Sequence, residues 1–365
     1  MASAGETPPA EEGRPLTRLA GESIKLQRRL LKAARILESG RSPPTGTTPN
    51  EVVFEKDNLK LRHYRPLEGA PKSKKTPVLV CYALVNKPSI LDLQEDRSVV
   101  RRLLEAGLDV YLIDWGTPDE GDKFLTIDDY VNRYIDQCVD FVREESGEDK
   151  ITLFGYCMGG SFCAMYACLH QEKLLNLVIM AAGIDFHQGC GLLNYWAKFL
   201  DIDKLVDTWG NVPAGFLNSG FLLLDPARNA YGKYVGMLDI VDDPKAVDNF
   251  LRMEHWVNDG IPVAGETYRE FLKKGYQENA LVKGTWEVGG ERVDLKTLTL
   301  PLLTITATAD SIMPAETTEA LTNLTSSKDT AAFTNPGGHI GLAVSSRAHR
   351  DLWPKVGEWI LKRSK

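Results

Sequence analysis

Ile151-Thr152-Leu153-Phe154-Gly155-Tyr156-Cys157-Met158-Gly159-Gly160 decides the fold of this chain. Four apolar or β-branched residues predict a buried strand, and a helix-compatible run from Ser161 to His170 follows. Between them lies a tight turn with Cys157 at its apex and glycines two positions to either side. A side chain held at such an apex sits on a strained backbone, so its neighbours must be small. Gly155 and Gly159 meet that need.

Outward from this turn, apolar strands alternate with helices. Val52 to Phe54 and Lys60 to Tyr64 read as an early antiparallel pair. Pro77 to Leu84 is an apolar strand, Ser98 to Ala106 a helix closed by Gly107, and Asp109 to Trp115 a strand. Thr126 to Glu144 is a helix opened by Thr126 with Asp129 three residues on, a capping-box pattern. Leu175 to Ala182 is a further strand. Continuous apolar strands separated by helices predict an α/β fold with a mostly parallel sheet covered on both faces.

The alternation breaks at about Asp185 and resumes at Leu300 to Ala307. The intervening stretch reads as irregular and is rich in aromatic residues, among them Tyr195, Trp209, Trp256, Tyr268 and Phe271. We expect it to form a cap over the carboxyl ends of the strands, where open α/β sheets place their sites. The expected organisation is a mobile tail over 1–20, a core of 21–184 and 297–365, and a cap of 185–296. A final helix begins near Pro354 and turns Val356, Trp359 and Ile360 inward. Near the start, Glu22 to Glu38 reads as a helix whose Lys25, Arg28, Arg29, Lys32 and Arg35 form a basic face. Packing against the body and docking of a partner subunit both suit that face.

Bulk properties exclude several classes. The net charge of −7 over 365 residues disfavours a general nucleic-acid binder. No apolar run approaches the ~20 residues of a membrane span. The first residues lack the pattern of a signal peptide, which places the protein in the cytosol. Cys81, Cys138, Cys157, Cys163, Cys168 and Cys190 are scattered, with no C-x-x-C pair, so neither a disulfide framework nor a metal site is expected. Cys163 and Cys168 read as small core residues.

The strand–turn–helix around Cys157 is the layout of the nucleophile elbow of an α/β-hydrolase, G-x-S-x-G, with sulfur in place of oxygen. A nucleophile of this kind needs a base, and the base needs an orienting group. In that fold the order is nucleophile, acid, histidine. Asp310 directly follows the strand Leu302–Ala307, and His339 lies in the glycine-rich loop Asn335-Pro336-Gly337-Gly338-His339. Taken singly, Cys157 could be a buried thiol, Asp310 a turn cap with Ser311 and Pro314, and His339 a loop imidazole. Together, in this order and at element ends, they form a candidate triad. The oxyanion of an acyl-transfer intermediate needs N–H donors, assigned to the backbone of Met158 and of Val85 in the loop Tyr82–Asn86.

The motif set resembles the polyhydroxyalkanoate synthases. It comprises the Gly-Tyr-Cys-Met-Gly-Gly elbow, Tyr82-Ala83-Leu84-Val85-Asn86-Lys87-Pro88, Asp92 to Ser98, Asp109 to Gly116, and Gly337-Gly338-His339-Ile340. Short length makes the resemblance strongest to the class III enzymes, whose catalytic chain works with a second, PhaE-like subunit. It implies that His339 deprotonates Cys157 and that the thiolate attacks a 3-hydroxyacyl-CoA thioester, 3-hydroxybutyryl-CoA being the best guess. The 3-hydroxyl of the next monomer or of the chain end then attacks, with Asp310 engaging that hydroxyl. CoA thioester is the substrate, and no further cofactor is implied. A homodimer or hetero-oligomer at the surface of a polyester granule is expected. The competing readings are a cysteine-dependent acyl hydrolase or thioesterase on the same fold, and a non-catalytic granule-coat protein. The positions that contact CoA are not legible, since no phosphate-binding glycine motif is present.

Overall fold

The computed structural model describes residues 15–71, 76–189 and 191–364. Eight strands form the central sheet: β1 (Asn50–Lys56), β2 (Leu59–Tyr64), β3 (Pro77–Cys81), β4 (Asp109–Asp114), β5 (Ile151–Tyr156), β6 (Leu174–Met180), β7 (Leu302–Ala307) and β8 (Thr330–Asn335). Their order is β1-β2-β4-β3-β5-β6-β7-β8. Only β2 runs against the others, pairing antiparallel with β1 and β4. Every pair from β4 to β8 is parallel.

Burial explains which strands were readable. Every residue of β3, β5 and β7 is buried, as continuous apolar runs require when helices cover both faces. β8 lies at the sheet edge and alternates between exposed and partly buried positions. Its sequence, Thr-Ala-Ala-Phe-Thr-Asn, carries no such run and was not anticipated as a strand.

The helices follow their caps. In α2 (Val99–Glu105) the Ser98 hydroxyl accepts from Arg101 N. The Thr126 box is present: Thr126 N donates to Asp129 Oδ2 at 2.9 Å, and Asp129 N returns to Thr126 Oγ1 at 3.4 Å. The helix it opens starts as a π-helical stretch, Asp129–Ile135, and continues as α3 (Asp136–Ser146). The elbow helix is α4 (Met158–His170), and the last helix is Trp353–Leu361, with Val356, Trp359 and Ile360 buried as expected.

The stretch from 185 to 296 differs from its irregular reading. Helices occupy most of it: Leu192–Phe199, Ile202–Trp209, Ala214–Leu224, Lys233–Ile240, Pro244–Asn258 and Gly265–Glu270. Two π-helical stretches interrupt them. The helices are short and broken at Gly210, Pro213 and Pro226, so no long 3.6-residue period develops for a sequence reading to detect.

The chain divides into two compact units. The larger spans Pro44–Pro226 and Arg252–Lys365 and holds the sheet. Within it, the insertion is tied to the core by several polar bonds. Asn211 Nδ2 donates to Asp119 O, Thr267 Oγ1 donates to Leu125 O, and Glu270 accepts from Ile127 N. An aromatic cluster of Phe186, Phe271, Tyr276 and Trp286 within the insertion reaches the core through Phe271, which meets Phe162 of α4 edge-on at 6.1 Å.

The smaller unit joins the chain up to Pro43 with Ala227–Leu251. Its first helix runs Pro15–Glu38, so it opens seven residues before the expected Glu22, with Pro15 at its first position. Residues 15–20 of the expected tail are thus helical, and residues 1–14 lie outside the described residues. Ala33 packs with Met237 and Val241. On the basic face, Lys32 donates to Asp242 at 2.7 Å and Arg29 approaches Asp239 at 3.6 Å. These exposed pairs set register more than stability.

Among the described residues all cysteines are free: Cys81, Cys138 and Cys163 are buried, and Cys157 and Cys168 partly so. Cys190 lies outside them. No described helix is long and apolar enough to cross a membrane.

Candidate active site

Cys157 stands one residue beyond β5 with φ 57° and ψ −129°. A non-glycine residue there is strained, and the surrounding bonds must hold it. Cys157 N donates to Met180 O at 2.9 Å, and Cys157 O accepts from Gly160 N at 2.9 Å. The flanking glycines are needed for contact as well as for the turn. A Cβ at Gly159 would lie 2.5 Å from the carbonyl oxygens of Cys81 and Tyr82, and one at Gly155 2.5 Å from Gly160 Cα. The elbow therefore presses the start of α4 onto the end of β3 and leaves the sulfur at the tip, partly buried.

Asp310 follows β7 by three residues, and its carboxylate has no exposed surface. Oδ1 accepts from Ile312 N at 2.9 Å and Met313 N at 2.8 Å. Oδ2 meets His339 Nδ1 at 2.7 Å. One oxygen thus organises a turn and the other meets the imidazole, so both carboxylate oxygens of Asp310 have protein partners.

His339 is carried by the loop after β8. That loop is tied to the Asp310 loop, since Thr308 N donates to Asn335 O at 3.2 Å and Ala309 N to Gly337 O at 2.8 Å. Gly337 makes the bend with φ 140°. Burial alone would lower the pKa of the imidazole, yet it is held above its ordinary 6.5 by the Asp310 carboxylate and by charge on Cys157, with hydrogen bonds to both. Since Asp310 holds Nδ1, Nε2 is the nitrogen left for the sulfur. The raised pKa makes this imidazole a stronger base toward the sulfur. The arrangement can deliver a sulfur nucleophile to an acyl carbon and pass one proton between substrate and base.

Cys157, Asp310 and His339 are therefore brought together. Met158 opens α4, so its N–H is one of the first-turn donors without an intrahelical partner. Val85 lies in the loop leaving β3, the sheet neighbour of β5. The next residue, Asn86, is buried at φ 64°. Insertion residues clamp this loop: Trp256 Nε1 donates to Lys87 O at 2.8 Å, and Lys87 Nζ to Asp259 Oδ2 at 2.6 Å. Tyr276 of the insertion is buried, with its ring 4.7 Å from that of Phe186. Burial first, then charge on Cys157, raises its phenol pKa well above 10. A cavity of about 340 Å³ opens beside Asp310, lined by Gly189, Gly191 and Leu192 on one side and by Thr308, Ser311 and Pro314 on the other.

The other histidines stand apart from the cluster. His63 pairs with Asp109, His170 with Asn132, His187 with Tyr276 O and His349 with Ala343 O. His255 is exposed. Two contributors escaped sequence reading. Tyr156 donates its hydroxyl to His339 O at 3.0 Å, a partner 183 positions away. Trp256 had been noted only as a possible cap lining. The position of Tyr156 directly before the nucleophile was the only signal available for it.

Known proteins agree with this architecture. A family model described as the alpha/beta hydrolase fold matches residues 76–345, and one described as the poly-beta-hydroxybutyrate polymerase (PhaC) N-terminus matches 35–103. The chain resembles solved lipases in fold. The monoglyceride lipase of Saccharomyces cerevisiae superposes with a TM-score of 0.53 at 14% identity, over 88% of this chain and 98% of that one. The monoacylglycerol lipase of Paleococcus ferrophilus gives 0.50 at 17% identity, over 81% and 97%. Similarity in sequence goes further. The poly(3-hydroxyalkanoate) polymerase subunit PhaC of Allochromatium vinosum is 46% identical over 95% of this chain and 98% of that relative. Its namesake in Haloarcula marismortui is 47% identical over 90% and 70%. A cysteine elbow on an eight-stranded hydrolase sheet, together with identity of this extent, places the chain in the PhaC family of poly(3-hydroxyalkanoate) polymerase subunits.

Proposed function

We propose that this chain polymerises (R)-3-hydroxyacyl-CoA, with 3-hydroxybutyryl-CoA as the leading substrate, through an acyl-cysteine at Cys157. The observation that carries the reading is the partly buried Cys157 in reach of a histidine whose far nitrogen is held by a buried carboxylate. The names of the relatives support the polymer as product.

In the first step His339 Nε2 takes the Cys157 proton, and the thiolate adds to the thioester carbonyl. The Met158 and Val85 N–H groups receive the oxyanion. The carbon–sulfur bond to CoA breaks, and the CoA thiolate leaves with the proton from His339. Exchange of one thioester for another is nearly even in energy, so the acyl group stays activated. In the second step His339 takes the proton of a 3-hydroxyl from a monomer or chain end, and that oxygen attacks the acyl-cysteine. An oxygen ester forms, the bond to Cys157 breaks, and the thiolate–imidazolium pair is restored. Asp310 keeps the His339 tautomer that both transfers need. The insertion keeps water from the acyl-enzyme. The word subunit in the relatives' names supports a second, PhaE-like chain as partner, and we place the assembly in the cytoplasm at the polyester surface.

The test is the purified protein with (R)-3-hydroxybutyryl-CoA, with and without a cognate second subunit. CoA release with insoluble polyester is expected, and Cys157→Ala should abolish both. CoA release accompanied by an equal amount of free 3-hydroxy acid, under both conditions, would make the protein a thioesterase.

A further inference from the structure

Tyr156 ends β5 and has no exposed surface. A phenol buried so deeply needs a hydrogen-bond partner. Here the partner is the main-chain carbonyl of His339, 3.0 Å away. The same ring stacks on the His339 imidazole, with centroids 5.2 Å apart and planes 26° from parallel. Tyr82 meets Tyr156 edge-on at 5.5 Å and 62° and fixes it from another side. Burial first, then charges at Tyr82, Cys157 and Asp310, raise the Tyr156 pKa well above 10, so the hydroxyl stays protonated and can only donate here. The face of a tyrosine within ~6 Å also stabilises a cation, which suits the imidazolium.

Asp310 fixes one edge of the imidazole and Leu342 N donates to the His339 carbonyl at 3.2 Å, but neither bond ties this loop to β5, so it keeps freedom relative to that strand. We propose that Tyr156 is a positioning residue that removes this freedom. Its hydroxyl holds the His339 backbone and its ring backs the imidazolium, so Nε2 stays aimed at Cys157 through both proton transfers. This rests on the reading of Cys157 and His339 as nucleophile and base. Hydroxyl and ring make separable contributions, the first to backbone position and the second to the charged state.

The experiment is the rate of Cys157 alkylation by iodoacetamide against pH, followed on the Cys157 peptide by mass spectrometry in the intact protein. It is run for the wild type, Tyr156→Phe, Tyr156→Leu and His339→Gln, alongside turnover of (R)-3-hydroxybutyryl-CoA. Tyr156→Phe keeps the ring and is nearly isosteric, so it should fold. We expect its kcat to fall about tenfold, the size of one hydrogen bond, with KM within about twofold. Its alkylation midpoint should move upward, toward that of an unpaired thiol, and further in Tyr156→Leu. A Tyr156→Phe profile that superimposes on the wild type overturns the proposal, whatever turnover does. If Tyr156→Leu does not fold, the Phe variant decides alone. A profile shifted in His339→Gln but not in the Tyr156 variants rejects the role of Tyr156 and leaves the pair standing. A profile unmoved in His339→Gln removes the pair itself, and the proposal with it.

Discussion

Asp310 shows how much one side chain carries in this site. One oxygen organises the turn at Ile312 and Met313, and the other holds His339 Nδ1. Asp310→Asn separates the two tasks. The amide oxygen can still cap the turn, so the fold should persist. The amide nitrogen would face Nδ1 and favour the tautomer with the proton on Nε2, which cannot accept from sulfur. We expect acylation to slow by up to about four orders of magnitude, read as the pre-steady-state release of CoA. Normal acylation with failed elongation would instead assign Asp310 to the incoming hydroxyl directly. Cys157, Asp310 and His339 were legible in the sequence because each is framed by glycine or by a strand end and their order is diagnostic. The contact from Tyr156 to His339 was not, since nothing local encodes a bond spanning 183 positions.

At the scale of elements, two contacts show how the supporting segments act on the site. The loop after β3 is held by Trp256 and Asp259 of the insertion. Trp256→Phe removes one hydrogen bond, worth about 1 kcal/mol, from the loop expected to supply an oxyanion donor. We expect kcat to fall several-fold while the reactivity of Cys157 toward iodoacetamide stays unchanged, because alkylation creates no oxyanion. Equal loss in both assays would mean that Trp256 supports the whole site instead. The second contact is His349, at the end of the helix Ser346–Asp351. Its Nε2 donates to Ala343 O at 2.7 Å, and its Nδ1 has no partner. Burial lowers its pKa to about 4, outweighing the bond to Ala343. The unfolded chain takes up this proton near pH 6.5, and the folded chain only near 4. Stability from this group is therefore complete above about pH 6.5 and lost as pH falls through 4, by at most about 3 kcal/mol. A thermal-unfolding series should show this acid slope, and His349→Gln should flatten it. An unchanged slope would exclude His349 as its source.

For the whole molecule, the sheet was readable from one end to nearly the other because buried parallel strands are written as apolar runs. Reading failed where burial is partial, at the edge strand β8, and where helices are too short to show a period, through the insertion. The smaller unit rests on a modest core around Ala33, Met237 and Val241. Met237 is 1% exposed, so Met237→Asp would bury an unpaired carboxylate there. We expect faster hydrogen exchange along the helix Pro15–Glu38, with the thiol reactivity of Cys157 unchanged. Unchanged exchange would show that this helix does not depend on the Met237 core.

The bonds from Thr308 to Asn335 and from Ala309 to Gly337 extend the pairing of β7 with β8 beyond the strands themselves. Asp310 and His339 therefore ride on a single ribbon, while Cys157 follows β5, with β6 between. The site is in effect a two-piece device with one joint. A slip at that joint would part sulfur from imidazole without melting any strand, and the phenol of Tyr156 is the pin that crosses it.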